Sequence, residues 1–87
     1  PRRLIFLLIA AVIPAYNEEK TIGRVIEVLK KVVVIDEIIV VSDGSVDRTA
    51  EIAFELGAQV IELKQNIGKG GAMKIGIEAT NADIILF

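Results

Sequence analysis

Cysteine and histidine are both absent from this 87-residue chain. Without cysteine the chain has no disulfide, no thiol nucleophile and no thiolate metal ligand, although a chain without cysteine suits any redox compartment. Without histidine it has no imidazole metal ligand and no histidine that acts as a general base. Thiol chemistry, histidine metal sites and histidine base catalysis are therefore excluded within these residues.

An excess of positive charge is also absent, since 10 lysines and arginines face 12 aspartates and glutamates for a net charge of −2. A protein that binds a nucleic-acid polymer needs a basic stripe to neutralise phosphates. We therefore expect no nucleic-acid partner.

No apolar run is long enough to cross a bilayer, which takes about 20 residues. The longest run, Leu4–Ile13, has half that length and is followed by Pro14. It follows Arg2 and Arg3, but no small-residue cleavage site of a signal peptide precedes the polar residues 16–19. We interpret the run as a buried strand that Pro14 ends.

What the chain does have is a high apolar content, 53% of residues with a mean hydropathy of +0.58. This is rich for a small soluble domain, so a partner covers the apolar faces or the chain belongs to a larger core. The last residues, Ile84–Phe87, are apolar and would lie inside a sheet. We expect residues 1–87 to form a single partial domain, truncated in or after a fourth strand.

Apolar runs alternate with segments of helical period along the chain. This order predicts a three-layer α/β/α fold with a mainly parallel, Rossmann-like sheet. Short connections and apolar strands indicate parallel pairing with right-handed crossovers, so that helices cover both faces of the sheet. After Leu4–Ile13, the predicted strands are Glu37–Val41, Gln59–Leu63 and Asp83–Phe87, and the predicted helices are Thr21–Lys31, a segment capped by Asp47 that ends at Gly57, and Gly70–Thr80.

Three polar clusters follow the first three predicted strands, at residues 14–19, 42–47 and 66–71. Parallel strands place their carboxyl ends at one edge of the sheet, where ligands of open α/β folds bind. We therefore expect the three clusters to line one rim of the sheet.

Side chains in these clusters suit a nucleotide. Asp43 can accept from an N–H donor on a base edge, and Tyr16 can stack on a base. Glu18 can accept from ribose hydroxyls, while Lys69 lies near a glycine-rich helix start that suits a phosphate.

Each residue also has an ordinary structural explanation. Asp43 before Gly44 is typical of a turn. Glu18 favours the start of a helix through its charge. Tyr16 is explained equally well as an ordinary half-buried aromatic residue, and Lys69 as a lysine exposed to solvent. Only their joint placement on one rim favours a binding site.

Two other nucleotide motifs are excluded. A P-loop requires Ser or Thr after its lysine, but Gly70 follows Lys69. A dinucleotide fingerprint requires three spaced glycines after the first strand, where this chain has Pro14 and Ala15 instead.

Three segments resemble family 2 glycosyltransferases, which have the GT-A fold. Residues 12–19 (VIPAYNEE) resemble the opening motif of the family, and residues 66–72 (NIGKGGA) resemble its N-x-G-K-G-x-A segment. Residues 40–49 (VVSDGSVDRT) resemble the V-V-D-D-G-S-T-D motif, with Ser42 and Val46 in place of its first aspartate and its threonine. Within the family, the chain most resembles the dolichyl- or polyprenyl-phosphate sugar synthases and the glucosyl-phosphoglycerate synthases.

The resemblance implies a UDP- or GDP-sugar donor. It leaves the acceptor unknown, with a polyprenyl phosphate as one candidate. It assigns nucleoside contacts to the positions of Pro14, Tyr16 and Glu18. It places Asp43 on the base with Val41 beside it, and Lys69 near the phosphates.

The resemblance further implies a Mg²⁺ or Mn²⁺ ion in the parent enzyme, held by an acidic D-x-D motif that would lie beyond Phe87. We therefore expect the chain alone to be inactive. It also implies a protein in the cytoplasm or at the cytoplasmic face of a membrane.

Two alternatives remain. The first is a non-catalytic nucleotide-binding or partner-dependent module, since an exposed sheet edge allows self-association. The second is a sugar nucleotidyltransferase, although such enzymes begin with a glycine-rich basic loop that the residues around Pro14 do not form.

Overall fold

The computed structural model describes residues 7–87, which form a four-stranded, fully parallel sheet in the order β3-β2-β1-β4. Helices cover both faces of the sheet, so the predicted three-layer α/β/α fold with a Rossmann-like sheet is confirmed. The elements are β1 (Ile9–Ala15), α1 (Ile22–Lys30), β2 (Glu37–Asp43), α2 (Thr49–Glu55), β3 (Gln59–Leu63), α3 (Lys69–Glu78) and β4 (Ile84–Leu86).

Alternate residues of the central strands face opposite layers, as the two-residue period of a strand requires. Ala15 and Val40 pack on one face with residues of α1 and α2. Val12 and Val41 pack on the other face with Ala72 of α3. Both faces of β1 and β2 are therefore buried, which explains their nearly continuous apolar sequence.

Helix α3 approaches the sheet closely because it presents small residues there. Ala72 and Gly76 are both buried against the strands. A Cβ atom at Gly76 would lie 2.4 Å from Val12 Cγ1 and 3.0 Å from Val41 Cγ2. The separation of this helix from the sheet thus depends on a glycine at position 76.

The first strand differs from its prediction at both ends. Of the predicted Leu4–Ile13, residues 4–6 lie outside the described residues, and the strand begins only at Ile9. It continues through Pro14, which pairs opposite Val41 in β2, and ends at Ala15. Proline fits in this strand because β4 pairs with β1 only as far as Ala11.

Two aspartates from other parts of the chain fix the start of β1. The Ile9 backbone N–H donates to Asp36 Oδ2, and the Leu8 backbone N–H donates to Asp83 Oδ2, both at 2.8 Å. Asp36 and Asp83 each donate their own N–H back, to the carbonyl oxygens of Ile9 and Leu8. These bonds join β1 to the loops before β2 and β4.

The other boundaries lie within two residues of the predictions, and β3 matches its prediction. Strand β2 extends to Asp43 rather than ending at Val41, and α3 begins at Lys69 rather than Gly70. Gly57 follows α2 with φ 93°, which is the left-handed conformation expected of a residue that ends a helix. None of the helices within residues 7–87 is long and apolar enough to span a membrane.

Candidate functional site

A cleft of about 290 Å³ lies outside the carboxyl ends of β1 and β2. Ligands of open α/β sheets bind where the strand order reverses, which in this sheet is at β1. Residues of all three predicted polar clusters line this cleft, so the placement of the clusters on one rim is confirmed. The cleft is lined by Pro14, Ala15, Tyr16, Glu18, Asp43, Asn66, Gly68 and Lys69.

Five of the six predicted site residues line this cleft, and Val41 does not. Val41 is fully buried two residues before Asp43, in the core between β2 and α3. Its side chain lies behind the cleft and supports α3 at Gly76. Asn66 lines the cleft although no separate role was assigned to it from the sequence.

Asp43 is the most buried ionisable residue of the cleft, with 3% of its surface exposed. Its Oδ1 accepts the Ile67 backbone N–H at 2.8 Å, and its Oδ2 accepts the Gly68 backbone N–H at 3.0 Å. The Asn66 side-chain amide donates to the Asp43 carbonyl oxygen at 3.3 Å. A carboxylate offers about four acceptor positions, so Asp43 holds this loop and retains capacity for a ligand donor.

Gly44 permits the close contact between this loop and the end of β2. Its φ of 74° is left-handed, and a Cβ atom there would lie 2.4 Å from the Asn66 backbone nitrogen. No side chain fits in that space. Asp43 is thus the last residue of β2 rather than part of a separate turn, and Gly44 bends the chain where the loop after β3 comes close.

Lys69 is the first residue of α3 and is exposed at the cleft. Gly68 precedes it with φ 97°, a conformation that directs the chain from the loop into the helix. The first N–H groups of a helix have no partner inside the helix and carry a partial positive charge. Lys69 and this helix start together make one end of the cleft favourable for an anion.

The loop after β1 supplies the other side of the cleft. Tyr16 is 49% exposed, so its ring is accessible for stacking. The Glu18 carboxylate is exposed and accepts the Thr21 hydroxyl at 3.0 Å. Asn17 between them has φ 51°, which is uncommon for a residue other than glycine.

Hydrogen bonds between this loop and the loop after β2 hold Asn17 in that conformation. The Asn17 backbone N–H donates to Ser45 Oγ at 3.0 Å. In return, the Val46 backbone N–H donates to Asn17 Oδ1 at 2.9 Å. The asparagine side chain thus replaces a backbone acceptor between the two loops.

Three more bonds connect the same loops. The Glu18 N–H donates to Thr49 Oγ1 at 2.8 Å, and the Glu19 N–H donates to Asp47 Oδ2 at 3.2 Å. The Arg48 N–H donates to Glu19 Oε1 at 3.0 Å. The sequence predicted only a capping role for Asp47 and no contact for Thr49, so this set of bonds was not anticipated.

Asp47 does bind the start of α2 as expected, although Arg48 is the residue that directly precedes the helix. Its Oδ1 accepts the Thr49 backbone N–H at 2.9 Å and also the Thr49 hydroxyl. Desolvation opposes ionisation of Asp47, but the bonds from Thr49 and Glu19 outweigh it and lower the pKa of this carboxyl. Asp47 therefore accepts, as an anion, from the loop after β1 and from the start of α2.

The residues that line the cleft do not form a metal site by themselves. Within residues 7–87, no group of three or more acidic, histidine or cysteine side chains is placed to hold a metal ion. Glu18 and Asp43 are the acidic residues of the cleft, and both Asp43 oxygens accept backbone N–H groups. A divalent ion does not fit this donor set.

The fold and the cleft define a class of protein. Residues 10–87 match glycosyl transferase family 2, and the chain belongs to this family. The parallel α/β/α architecture is that of GT-A glycosyltransferases.

Individual relatives include glucosyl-3-phosphoglycerate synthase of Mycolicibacterium smegmatis, which is 38% identical in an alignment that covers 91% of this chain and 29% of the relative. Human dolichyl-phosphate beta-glucosyltransferase is 36% identical over 94 residues, covering 90% of this chain and 29% of the relative. The chain therefore spans less than a third of the length of these relatives.

Solved structures of similar proteins agree with this relationship. Glucosyl-3-phosphoglycerate synthase from Mycobacterium tuberculosis, in complex with Mn²⁺, UDP and glucosyl-3-phosphoglycerate, matches with a TM-score of 0.82 and 37% identity. The match covers 92% of this chain and 32% of that structure. The UDP complex of the same enzyme matches with a TM-score of 0.83.

Proposed function

We propose that this chain forms the nucleotide-binding part of a glycosyltransferase that uses a UDP-sugar. The observation that carries the proposal is the cleft, which brings together side chains from the ends of β1 and β2 and from the start of α3. Those side chains offer a stacking ring, a buried acceptor and a cation, which are the groups that a nucleoside diphosphate requires.

The nucleoside would lie between the first two loops. Tyr16 offers an accessible ring to the base, and the remaining lone pairs of Asp43 suit an N–H donor on the base edge. The exposed carboxylate of Glu18 suits a ribose hydroxyl. We propose a UDP-linked rather than a GDP-linked sugar as the donor, because similar solved enzymes bind UDP.

The diphosphate would lie toward α3. Lys69 supplies a full positive charge, and the unpaired N–H groups at the helix start supply donors. The cleft is near the lower end of the range of about 300–1,000 Å³ that is usual for small-molecule sites. It therefore accommodates a nucleoside and its phosphates better than a complete nucleotide-sugar.

The reaction would transfer the sugar to an acceptor oxygen as the bond between the anomeric carbon and the diphosphate breaks. A divalent metal ion would neutralise the diphosphate that leaves, but the cleft does not hold such an ion with its own residues. We assign no catalytic residue and no acceptor within this chain. Its role in the proposed function is to bind and orient the donor.

Calorimetric titration with uridine, UDP and GDP tests the proposal. We expect saturable binding that is stronger for UDP than for uridine, because Lys69 and the α3 start contact only the phosphates. Lys69→Ala should weaken UDP binding by about tenfold or more and leave uridine binding nearly unchanged. Lys64→Ala is the matched control, since Lys64 is an exposed lysine of the loop that precedes α3 and does not line the cleft.

Asp43→Asn tests the base contact and should weaken both uridine and UDP binding by about tenfold or more. Equal binding by Asp43→Asn and the unmodified chain would contradict the assigned base contact. No binding of any nucleotide, together with a size that increases with protein concentration, would favour the partner-dependent module. Preference for UTP with release of pyrophosphate would favour a nucleotidyltransferase.

A further inference from the structure

The bonds between the loops after β1 and β2 point to a function for Thr49, a residue outside the cleft. We propose that Thr49 and Asp47 position the Tyr16–Glu18 turn, and thereby set nucleotide affinity without contacting the nucleotide. This inference rests on the proposed function, because the nucleotide is the ligand whose affinity would change.

Burial and direction of bonding support this role for Thr49. Its side chain is fully buried at the start of α2. Its hydroxyl oxygen accepts the Glu18 backbone N–H at 2.8 Å, and the same hydroxyl donates to Asp47 Oδ1. An ionised carboxylate can only accept, so the single hydrogen of this hydroxyl points toward Asp47 while a lone pair accepts from Glu18.

Asp47 completes the connection from the other side. Its Oδ2 accepts the Glu19 backbone N–H at 3.2 Å, while its Oδ1 accepts the Thr49 backbone N–H at 2.9 Å. Two consecutive N–H groups of the first loop, those of Glu18 and Glu19, are therefore bound to one pair of side chains. That pair is itself fixed to the first residue of α2.

This arrangement sets the direction of the side chains that line the cleft. Glu18 lines the cleft, and its backbone N–H is held by Thr49. Tyr16 is separated from Glu18 only by Asn17, whose left-handed backbone is maintained by Ser45. Loss of the Thr49 hydroxyl would release the Glu18 N–H and let the turn sample other conformations.

The chain offers a matched control at the opposite end of the sheet. Thr80 Oγ1 accepts the Ala82 backbone N–H at 3.1 Å and donates to the Glu37 carboxylate. Thr49 and Thr80 therefore have the same kind of partners, a backbone N–H and a carboxylate. Thr80→Val removes a comparable pair of bonds far from the cleft.

The experiment compares Thr49→Val, Thr49→Ser and Thr80→Val with the unmodified chain. UDP affinity is measured by calorimetry at equal folded fractions, and amide hydrogen exchange of Glu18 and Glu19 is measured by NMR without nucleotide. We expect Thr49→Val to weaken UDP binding about tenfold or more and to accelerate both exchange rates. Thr49→Ser should restore both properties, and Thr80→Val should change neither.

Tyr16 gives a second, local signal. It is the single tyrosine, and the chain has no tryptophan, so its emission reports on this turn alone. We expect acrylamide to quench Tyr16 emission more strongly in Thr49→Val than in Thr80→Val.

The outcomes separate the two proposals. Absence of UDP binding by the unmodified chain would overturn the proposed function, and this inference with it. Normal UDP binding by a folded Thr49→Val protein would overturn this inference alone, whatever the exchange rates. An equal loss in Thr49→Val and Thr80→Val would show an effect of general stability and would also overturn it.

Discussion

Asp43 is the last residue of β2, and Gly44 follows it. Both contact the loop between β3 and α3. The Asp43 carboxylate binds two N–H groups of that loop, and Gly44 leaves room for its backbone. The phosphate end of the cleft, at Gly68 and Lys69, therefore depends on residues at the base end. A substitution at Asp43 will affect both ends, so Asp43→Asn should weaken UDP binding at least as strongly as uridine binding.

Gly44 and Gly57 provide a direct test of the close contact at β2. Both have a left-handed backbone, with φ of 74° and 93°, but an added Cβ meets the Asn66 nitrogen at 2.4 Å only at Gly44. Gly57→Ala should lower the free energy of unfolding by about 1–2 kcal/mol through its backbone conformation. Gly44→Ala should lower it by about 2–5 kcal/mol, because overpacking adds to that cost.

Urea denaturation of the two variants measures this difference. Gly57 has no heavy atom within 4 Å of the added Cβ, so it serves as the control for conformation alone. Equal losses in Gly44→Ala and Gly57→Ala would show that the loop moves freely away from Gly44. The proposed dependence of the cleft on this contact would then be wrong.

The cleft residues could be predicted from the sequence to different extents. Tyr16, Glu18, Asp43 and Lys69 follow strands in a parallel order, so topology alone places them on one rim. The Thr49 contact could not be predicted, because a helical period shows only that its side chain faces inward. Its partner, the Glu18 N–H, lies 31 residues earlier in the chain. The choice of this N–H among several nearby ones depends on loop geometry.

At the level of elements, the contact between α3 and the sheet has a specific requirement. Helix interiors normally favour alanine over glycine by about 0.5–1 kcal/mol. At Gly76, however, a Cβ would lie 2.4 Å from Val12 Cγ1. We expect Gly76→Ala to lower the free energy of unfolding by up to about 2.5 kcal/mol, since overpacking costs about 1–3 kcal/mol against a gain of about 0.5–1 kcal/mol in helix propensity.

Gly70→Ala is the control within the same helix. An added Cβ at Gly70 has no heavy atom within 4 Å, so this variant should be neutral or more stable by up to about 1 kcal/mol. Thermal or urea denaturation of both variants tests the pair. Stabilisation by Gly76→Ala would mean that α3 shifts outward at little cost.

Boundaries of elements were predictable where the sequence itself changes character. Strand β3 is flanked by Gly57 and by polar residues 64–66, and its bounds matched. Strand β1 is preceded by further apolar residues, so no local signal marks Ile9 as its start. That start is set by Asp36 and Asp83, which bind Leu8 and Ile9 from distant parts of the chain.

At the scale of the whole molecule, the alternation of strands and helices was sufficient to predict the layers and the edge that carries the cleft. The apolar composition has a visible counterpart in exposed side chains such as Val33, Phe54 and Phe87. Strands β3 and β4 lie at the two edges of the described sheet, and self-association through an edge stays a prediction. Composition alone does not specify what would cover these surfaces.

The stability of the whole chain in acid should depend on Asp47. Hydrogen bonds from Thr49 and Glu19 hold the pKa of this carboxyl below its ordinary value of 3.8 despite the opposing desolvation. Because the pKa of Asp47 is lower in the folded state than in the unfolded state, its ionised carboxyl contributes to the stability of the fold. This contribution is fully present above pH 3.8. This contribution is lost as the pH falls from there through the folded pKa.

Urea denaturation at a series of pH values, from about pH 6 to about pH 2.5, measures this dependence. Other carboxyl groups also gain protons over this range, so Asp47→Asn is the comparison that isolates Asp47. The variant should be less stable near neutral pH, because Glu19 and Thr49 donate to different oxygens of Asp47 and the amide nitrogen that replaces one of them cannot accept. Its midpoint should then fall less steeply in acid, so that the two proteins converge at the lowest pH. Parallel curves for the two proteins would show that Asp47 binds the two loops no more strongly as an anion than as a neutral group. The bonds of Thr49, Arg48, Asn17 and Ser45 would then hold the loop after β1 without help from the Asp47 charge, and the role proposed for Asp47 beside Thr49 would fail.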